Sequence, residues 1–415
     1  MTMHKKRVLH TSISLILAAV VAHAPLLAAQ TSKDSKPPAS AGSIDAATGK
    51  LLTEAIEFLN AENYAAAKAS MAKIKVDSLS PYERSKTEQI WASIAAAQDD
   101  YGTARKHLQA AISAGGLNQN EVADTRYQLA QMFMAEDKWQ EGAAALEEWF
   151  RVAKEPNSAA YYLLAVAYYQ QNQLQRALPN AEKAVAMSEK PQESWIQLVV
   201  ALYLQQEQYS KALPVLKQLV ASAPDKKNYW LQLSSVYGQL EDFEKSLAVM
   251  QMGYNAGLLT DDSDIRRLTD LQLYNTLPYR CATTLEDAIK KNQVKVDLKL
   301  YEKQANCWIA AREFAKAVTP LKKAADMSAS GDLYVRLGEV EVQRSEWKAA
   351  VSALQNGLRK GKLKDTGNAQ ILLGIANFNL KDYKAAQQAF NQAKNFDKHK
   401  KMADGYLQLI KAQTS

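Results

Sequence analysis

Cys281 and Cys307 are the only two thiols in the chain, 26 positions apart. Such a pair can act as a redox couple, as metal ligands, as a nucleophile with a spare, or as two halves of a structural bridge. The rest of the titratable inventory narrows these options. Beyond the first thirty residues only His107 and His399 remain, and neither has a second ligand three or four positions away. A metal site is therefore not expected, nor is any cofactor, and both histidines are expected to be solvated. Asp99–Asp100 and Asp261–Asp262 fall in turn-like stretches, where capping a helix is expected rather than acid–base work. No phosphate loop, dinucleotide-binding glycine pattern, serine elbow or HExxH pair occurs. The chain reads as non-enzymatic, so any function rests on the elements that carry these residues.

The amino terminus reads as an export signal. Lys5, Lys6 and Arg7 precede an apolar run at 13–22, and small residues follow with cleavage expected near Ala28 or Ala29. The alternative, an uncleaved anchor, has the run meeting His23 and Pro25 well short of the ~20 residues a span needs. No cysteine follows the run, so a lipoprotein is not expected. Residues 1–29 are thus expected to be a signal peptide and 30–47, rich in Ser, Pro and Lys, a disordered linker. The mature chain is therefore expected to be exported, with no integral membrane span. Residues 301–415 carry a net charge of +8, against −4 for 30–300. The asymmetry fits a solvated surface, or a C-terminal half that docks on an acidic partner or anionic surface. Nucleic acid is not an expected partner.

From residue 48 onward one pattern recurs: an aromatic or large apolar residue, two variable residues, then a very small one. It reads YAAA at 64–67, YGTA at 101–104, WQEG at 139–142, LQRA at 174–177 and YSKA at 209–212. FEKS at 243–246, YRCA at 279–282, FAKA at 314–317, WKAA at 347–350 and YKAA at 383–386 follow. Successive small residues lie 33 to 38 positions apart. Upstream of them stand WLQLSSVY (230–237), YVRLGEV (334–340) and QILLGIANF (370–378). This pattern resembles the tetratricopeptide repeat, a helix–turn–helix unit of about 34 residues. The resemblance implies an all-α fold, a right-handed superhelical solenoid of about ten units over 48–398, closed by a C-terminal cap helix at 399–415. The seventh unit is the weakest, with Thr269 and Asp270 where Leu-Gly is expected. Ser80-Pro-Tyr-Glu83 has the form of a capping box. Pro179, Pro214 and Pro320 are expected early in second helices, where a missing N–H costs least.

In that family the first-helix residues at unit positions 2, 5, 9 and 12 line the concave face. Here they give a tyrosine- and glutamine-rich groove for a protein ligand: Tyr127, Gln131, Met134, Tyr162, Tyr169, Gln197 and Leu204, then Asn228, Asp264, Arg267 and Tyr274. The alternative is that several of these tyrosines pack between units.

The segments 79–121 (LSPYERSKTEQIWASIA…DDYGTARKHLQAAI…GGLN), 277–289 (LPYRCATTLEDAI) and 300–318 go beyond generic repeat consensus. They resemble exported tetratricopeptide proteins associated with TonB energy-transduction systems of Gram-negative bacteria. That resemblance implies a periplasmic accessory of a TonB–ExbB–ExbD-type complex, serving outer-membrane iron–siderophore transport. A TonB-complex component or an outer-membrane receptor would be the partner. The rival is an adaptor for envelope assembly, secretion or cell-wall synthesis.

Within this frame Cys281 opens the second helix of unit seven and Cys307 lies late in the first helix of unit eight. The midpoint, residue 294, falls inside KNQVKVD (291–297), where the turn between those helices belongs. Both cysteines then stand at one height on antiparallel arms, which favours a disulfide in an oxidising compartment over two buried thiols.

Overall fold

The computed structural model describes residues 42–414, so the expected signal peptide and most of the expected linker lie outside the described residues. Among those residues there are 21 α-helices, one short 3-10 turn and no strand. The first hairpins are α1 (Ala46–Asn60) with α2 (Tyr64–Met71), α3 (Pro81–Ala96) with α4 (Tyr101–Ser113), and α5 (Gln119–Ala135) with α6 (Trp139–Val152). Next come α7 (Ser158–Gln170) with α8 (Leu174–Ala186) and α9 (Glu193–Gln205) with α10 (Tyr209–Ser222). The second half holds α11 (Lys227–Gln239) with α12 (Phe243–Asn255), α13 (Asp262–Tyr274) with α14 (Pro278–Lys290), and α15 (Leu298–Ala310) with α16 (Phe314–Met327). It ends with α17 (Asp332–Gln343) and α18 (Trp347–Lys360), α19 (Thr366–Asn379) and α20 (Tyr383–Ala393), and the unpaired α21 (Asp397–Thr414). The chain forms two bodies that divide between Leu219 and Val220, inside α10. From α1 to α9, and again from α11 to α21, each helix packs on the one that follows it.

One local device builds every hairpin. The first helix ends, one residue takes the left-handed conformation, and the next residue is already the N-cap of the second helix. Glu62, Asp99, Asp137, Asn172, Glu207, Glu241, Thr276, Arg312, Ser345 and Lys381 are those ten residues. At each junction the N-cap N–H donates back to a carbonyl five residues earlier, as Asn63 to Phe58 (2.8 Å) and Asp242 to Tyr237 (2.9 Å). This is the six-to-one bond of a Schellman motif, which satisfies a carbonyl the helix end leaves open. Asn63, Asp100, Asp242 and Asp382 also cap the new helix with their side chains. Glycine is not needed for this turn, which is how the chain manages with 16.

The left-handed residue also corrects the register of unit seven. In nine units it precedes the small residue by five positions. Counted from Thr276, the small position of unit seven is Cys281, not Ala282, and Pro278 stands in the aromatic's place. Leu268-Thr269 then becomes the Leu-Gly equivalent, and the unit is no longer irregular. Thr269 is buried, its hydroxyl donating to the Ile265 carbonyl at 2.9 Å.

The core consists of small residues set against large ones across each hairpin. A Cβ added to Gly338 would meet Leu354 at 2.5 Å, and one on Gly374 would meet Phe390 at 2.5 Å. Where Ser234 replaces glycine, its hydroxyl faces that of Ser246 at 3.0 Å and each hydroxyl also reaches the other's carbonyl. The Ser80–Glu83 capping box is present, and Gly115 takes a positive φ as a helix-ending glycine does. The prolines sit deeper than expected. Pro179 and Pro214 are sixth, and Pro320 seventh, in α8, α10 and α16, past the first turn. Each therefore removes one internal helix bond; Pro320 is buried in its hairpin, whereas Pro179 and Pro214 are exposed.

The cysteines are joined. Cys281 in α14 and Cys307 in α15 form a disulfide with Cα atoms 5.9 Å apart and no exposed surface. Neither thiol is available as a nucleophile or ligand.

Candidate functional site

The proposed groove residues divide between the two bodies. On α5, α7 and α9 of the first lie Tyr127, Gln131, Met134, Tyr162, Tyr169, Gln197 and Leu204. Packing claims two of them. Met134 is only 4% exposed and presses on Gly142, where a Cβ would meet its sulfur at 2.8 Å. Tyr162 is 7% exposed and stacks on Trp195 of the next repeat, 5.2 Å between centroids. Tyr127 and Tyr169 are half-buried, and burial pushes the Tyr127 hydroxyl up to about 12. The Tyr127 ring leans on Trp149 at 5.0 Å. Gln131, Gln197 and Leu204 are half-exposed, with the Gln197 amide donating to Glu193 at 2.8 Å. The first body thus presents Tyr127, Gln131, Tyr169, Gln197 and Leu204 along three successive first helices.

In the second body Asn228 is exposed on α11. The corrected register moves the other three candidates one residue off the expected positions, which Ser263, Arg266 and Leu273 occupy instead. Asp264 is buried, and its carboxylate takes the Lys227 ammonium at 2.6 Å, tying α13 to α11. Arg267 is half-buried, and desolvation lowers its pKa. Tyr274 is 63% exposed, its ring resting on Phe243 at 4.3 Å.

Two recurrent contacts were not anticipated. A basic residue directly before the small position lies over the aromatic late in the first helix: Arg176 over Tyr168 (4.1 Å), Lys211 over Tyr203 (5.9 Å), Lys245 over Tyr237 (5.8 Å) and Lys316 over Trp308 (4.8 Å). Its signal stands in the sequence as the basic residue in LQRA, YSKA, FEKS and FAKA. Second, the amide side chain that ends a first helix donates to the first carbonyl of the preceding unit's second helix. Gln171 to Trp139 (3.1 Å), Gln206 to Leu174 (3.3 Å) and Asn275 to Phe243 (3.1 Å) share this bond. These amides hold neighbouring units in register, and so fix the spacing of any surface built across them.

Both histidines have carboxylate partners rather than standing free in solvent. His107 Nδ1 lies 2.6 Å from Glu88 Oε2 with its ring stacked on Trp91. His399 is buried, Nε2 2.8 Å from Asp365 Oδ1, which joins α21 to the start of α19. Asp365 caps α19, and the Asn368 N–H, followed by Lys398 and His399, holds its carboxyl down at about 2. A depressed carboxylate contributes stability above its unfolded pKa near 4 and loses it as pH falls toward 2. Asp365→Asn, which keeps a capping oxygen, is therefore expected to weaken α21 docking above about pH 4. The gap to wild type should close near pH 2; hydrogen exchange of the α21 amides across that range measures it. No cluster of three or more potential metal ligands occurs among the described residues. Nor is any described helix long and apolar enough to cross a membrane.

Family profiles agree with this architecture. Two family profiles, both described as tetratricopeptide repeat, match residues 168–236 in one case and residues 127–193 and 335–399 in the other. A comparison with curated proteins gave no match. Among solved structures, a tetratricopeptide repeat protein from Parabacteroides merdae is similar over 71% of this chain and 99% of its own, with 14% identity and a TM-score of 0.36. MamA from Desulfovibrio magneticus is similar over 40% of this chain and 93% of its own, with 22% identity and a TM-score of 0.33. The chain carries tetratricopeptide repeats, modules that generally hold other proteins rather than catalyse reactions.

Proposed function

We propose that the chain is an exported, non-enzymatic adaptor that holds a protein partner on the first-helix face of its amino-terminal body. We further propose that it works in the periplasm as an accessory of a TonB–ExbB–ExbD-type system for iron–siderophore transport. The observation that carries the binding site is the run of half-exposed Tyr127, Gln131, Tyr169, Gln197 and Leu204 over three helices held in register. Tyrosine offers broad contact area at small entropic cost and a hydroxyl for orientation. Export rests on the basic and apolar stretches at 5–7 and 13–22, and the TonB assignment on the resemblance of 79–121, 277–289 and 300–318.

Crosslinking in intact cells followed by mass spectrometry tests both parts. Recovery of a TonB-complex component or an outer-membrane receptor is expected, with Tyr127→Ala/Tyr169→Ala reducing the yield at least tenfold and leaving helicity unchanged. Recovery only of cell-wall or secretion factors would move the chain to envelope assembly. An undiminished yield from the double variant would place the binding face elsewhere.

A further inference from the structure

The end of α18 and the loop that leads to α19 read RKGKLKD at 359–365, and the segment entering α21 reads KNFDKHKK at 394–401. Contacts join the two into one surface: Lys398 Nζ lies 3.0 Å from Asp365 Oδ2 and His399 Nε2 lies 2.8 Å from Asp365 Oδ1. The acidic groups beside them are mostly engaged already. Asp365 serves Lys398 and His399, Asp404 takes Lys394 at 2.7 Å, and Asp332 accepts the Lys364 N–H at 2.9 Å. Lys362, Lys364, Lys400 and Lys401 are exposed, and their ammonium groups form no ion pair among the described residues. Asp397 is the one nearby carboxylate in the same position.

The same surface carries exposed apolar side chains, Phe396 at 39% where it rests over Gly367 of α19. Phe396 precedes α21, and Met402 and Leu409, each 53% exposed, lie along its free face together with Gly405 and Lys398. At 100° per residue, Lys401, Gly405, Lys398, Leu409 and Met402 fall within one third of a turn, opposite the buried Ala403 and Ile410. Cations interleaved with protruding apolar side chains on a surface helix match the bilayer interface. There phosphates meet lysine, and Met and Leu enter the acyl boundary. An acidic protein would satisfy the lysines and leave the apolar residues unexplained.

We propose that this C-terminal surface is a peripheral docking site for an anionic phospholipid bilayer. The full chain is expected to co-sediment with phosphatidylcholine vesicles that contain phosphatidylglycerol and not with pure phosphatidylcholine. The binding should fade as salt is raised. Each lysine near an anionic surface contributes on the order of fivefold in affinity, so Lys401→Ala should lose about fivefold. Met402→Ser/Leu409→Ser should also weaken binding while keeping its salt dependence. All three positions are exposed, so thermal unfolding should match the parent and exclude misfolding as the cause. Absence of binding to the anionic vesicles, equal binding to the neutral ones, or parental binding by both variants overturns the proposal. So does retention on polyglutamate resin that Lys401→Ala weakens, if Met402→Ser/Leu409→Ser then binds vesicles normally; that result assigns the patch to an acidic polypeptide.

Discussion

Reduction of the Cys281–Cys307 disulfide is expected to remove about 3–4 kcal/mol from the stability of the region between α13 and α16. The bridge spans 26 residues and closes a loop made of most of α14, the turn at 291–297 and most of α15. Cutting it restores freedom chiefly to the unfolded chain. Its place in the packing sharpens the test. Cys281 holds the small position that Ala67, Ala104, Ala177, Ala212, Ala317, Ala350 and Ala386 hold in other units, so Cys281→Ala leaves that hairpin crossing filled as they do. Reduced wild type and Cys281→Ala/Cys307→Ala should therefore unfold at nearly the same urea concentration, both below the oxidised protein. Because each repeat contacts only its neighbours, the loss is local, and hydrogen exchange should rise in α13 to α16 and not in α1 to α9. An oxidised protein no more resistant to urea than the reduced one would remove the bridge from the stability argument.

The helices and their pairing were legible because each hairpin repeats the same constraint, a close crossing that only a small residue allows. The bridge was legible for the same reason: two cysteines equidistant from a turn on antiparallel helices must stand side by side. What the repeat pattern misjudged was position by one residue in unit seven. Two neighbouring residues there, Cys281 and Ala282, are both small enough for the crossing, and Tyr279 imitates the aromatic that Pro278 displaces. The turn decides, since the left-handed Thr276 counts five residues to Cys281. That slip assigned Asp264, Arg267 and Tyr274 to the repeat positions that Ser263, Arg266 and Leu273 occupy. Packing between units stood as the alternative for the groove tyrosines, and the sequence alone could not choose it for Tyr162. A side chain at a given unit position is exposed or covered according to what the next unit places opposite, and Trp195 covers Tyr162. His399 was misjudged because its carboxylate partner, Asp365, lies 34 residues away, one repeat earlier.

Phe390→Ala is expected to cost about 3–5 kcal/mol and to release the carboxyl-terminal end of the chain. The ring has no exposed surface and is wedged among three helices. Its edge lies where Gly374 of α19 leaves room for it, and its face stacks on Tyr406 of α21 at 4.7 Å and 6°. Alanine would leave a void that the neighbours cannot close, since α19 and α20 are already fixed by their own hairpin turn. Glycine at 374 and phenylalanine at 390 are one design, so Gly374→Ala alone should also destabilise by forcing the ring from its slot. In the double variant the new methyl meets no ring, and the two losses should fall short of their sum. Docking of α21 rests on Tyr406 over this ring and on His399 against Asp365. Phe390→Ala should thus raise hydrogen exchange across Asp397–Thr414 well before α11 to α16 open. It should also weaken binding to phosphatidylglycerol vesicles although no lysine has changed. A variant that unfolds with the parent's midpoint and keeps α21 protected would show that the last helix is held by its ion pairs alone.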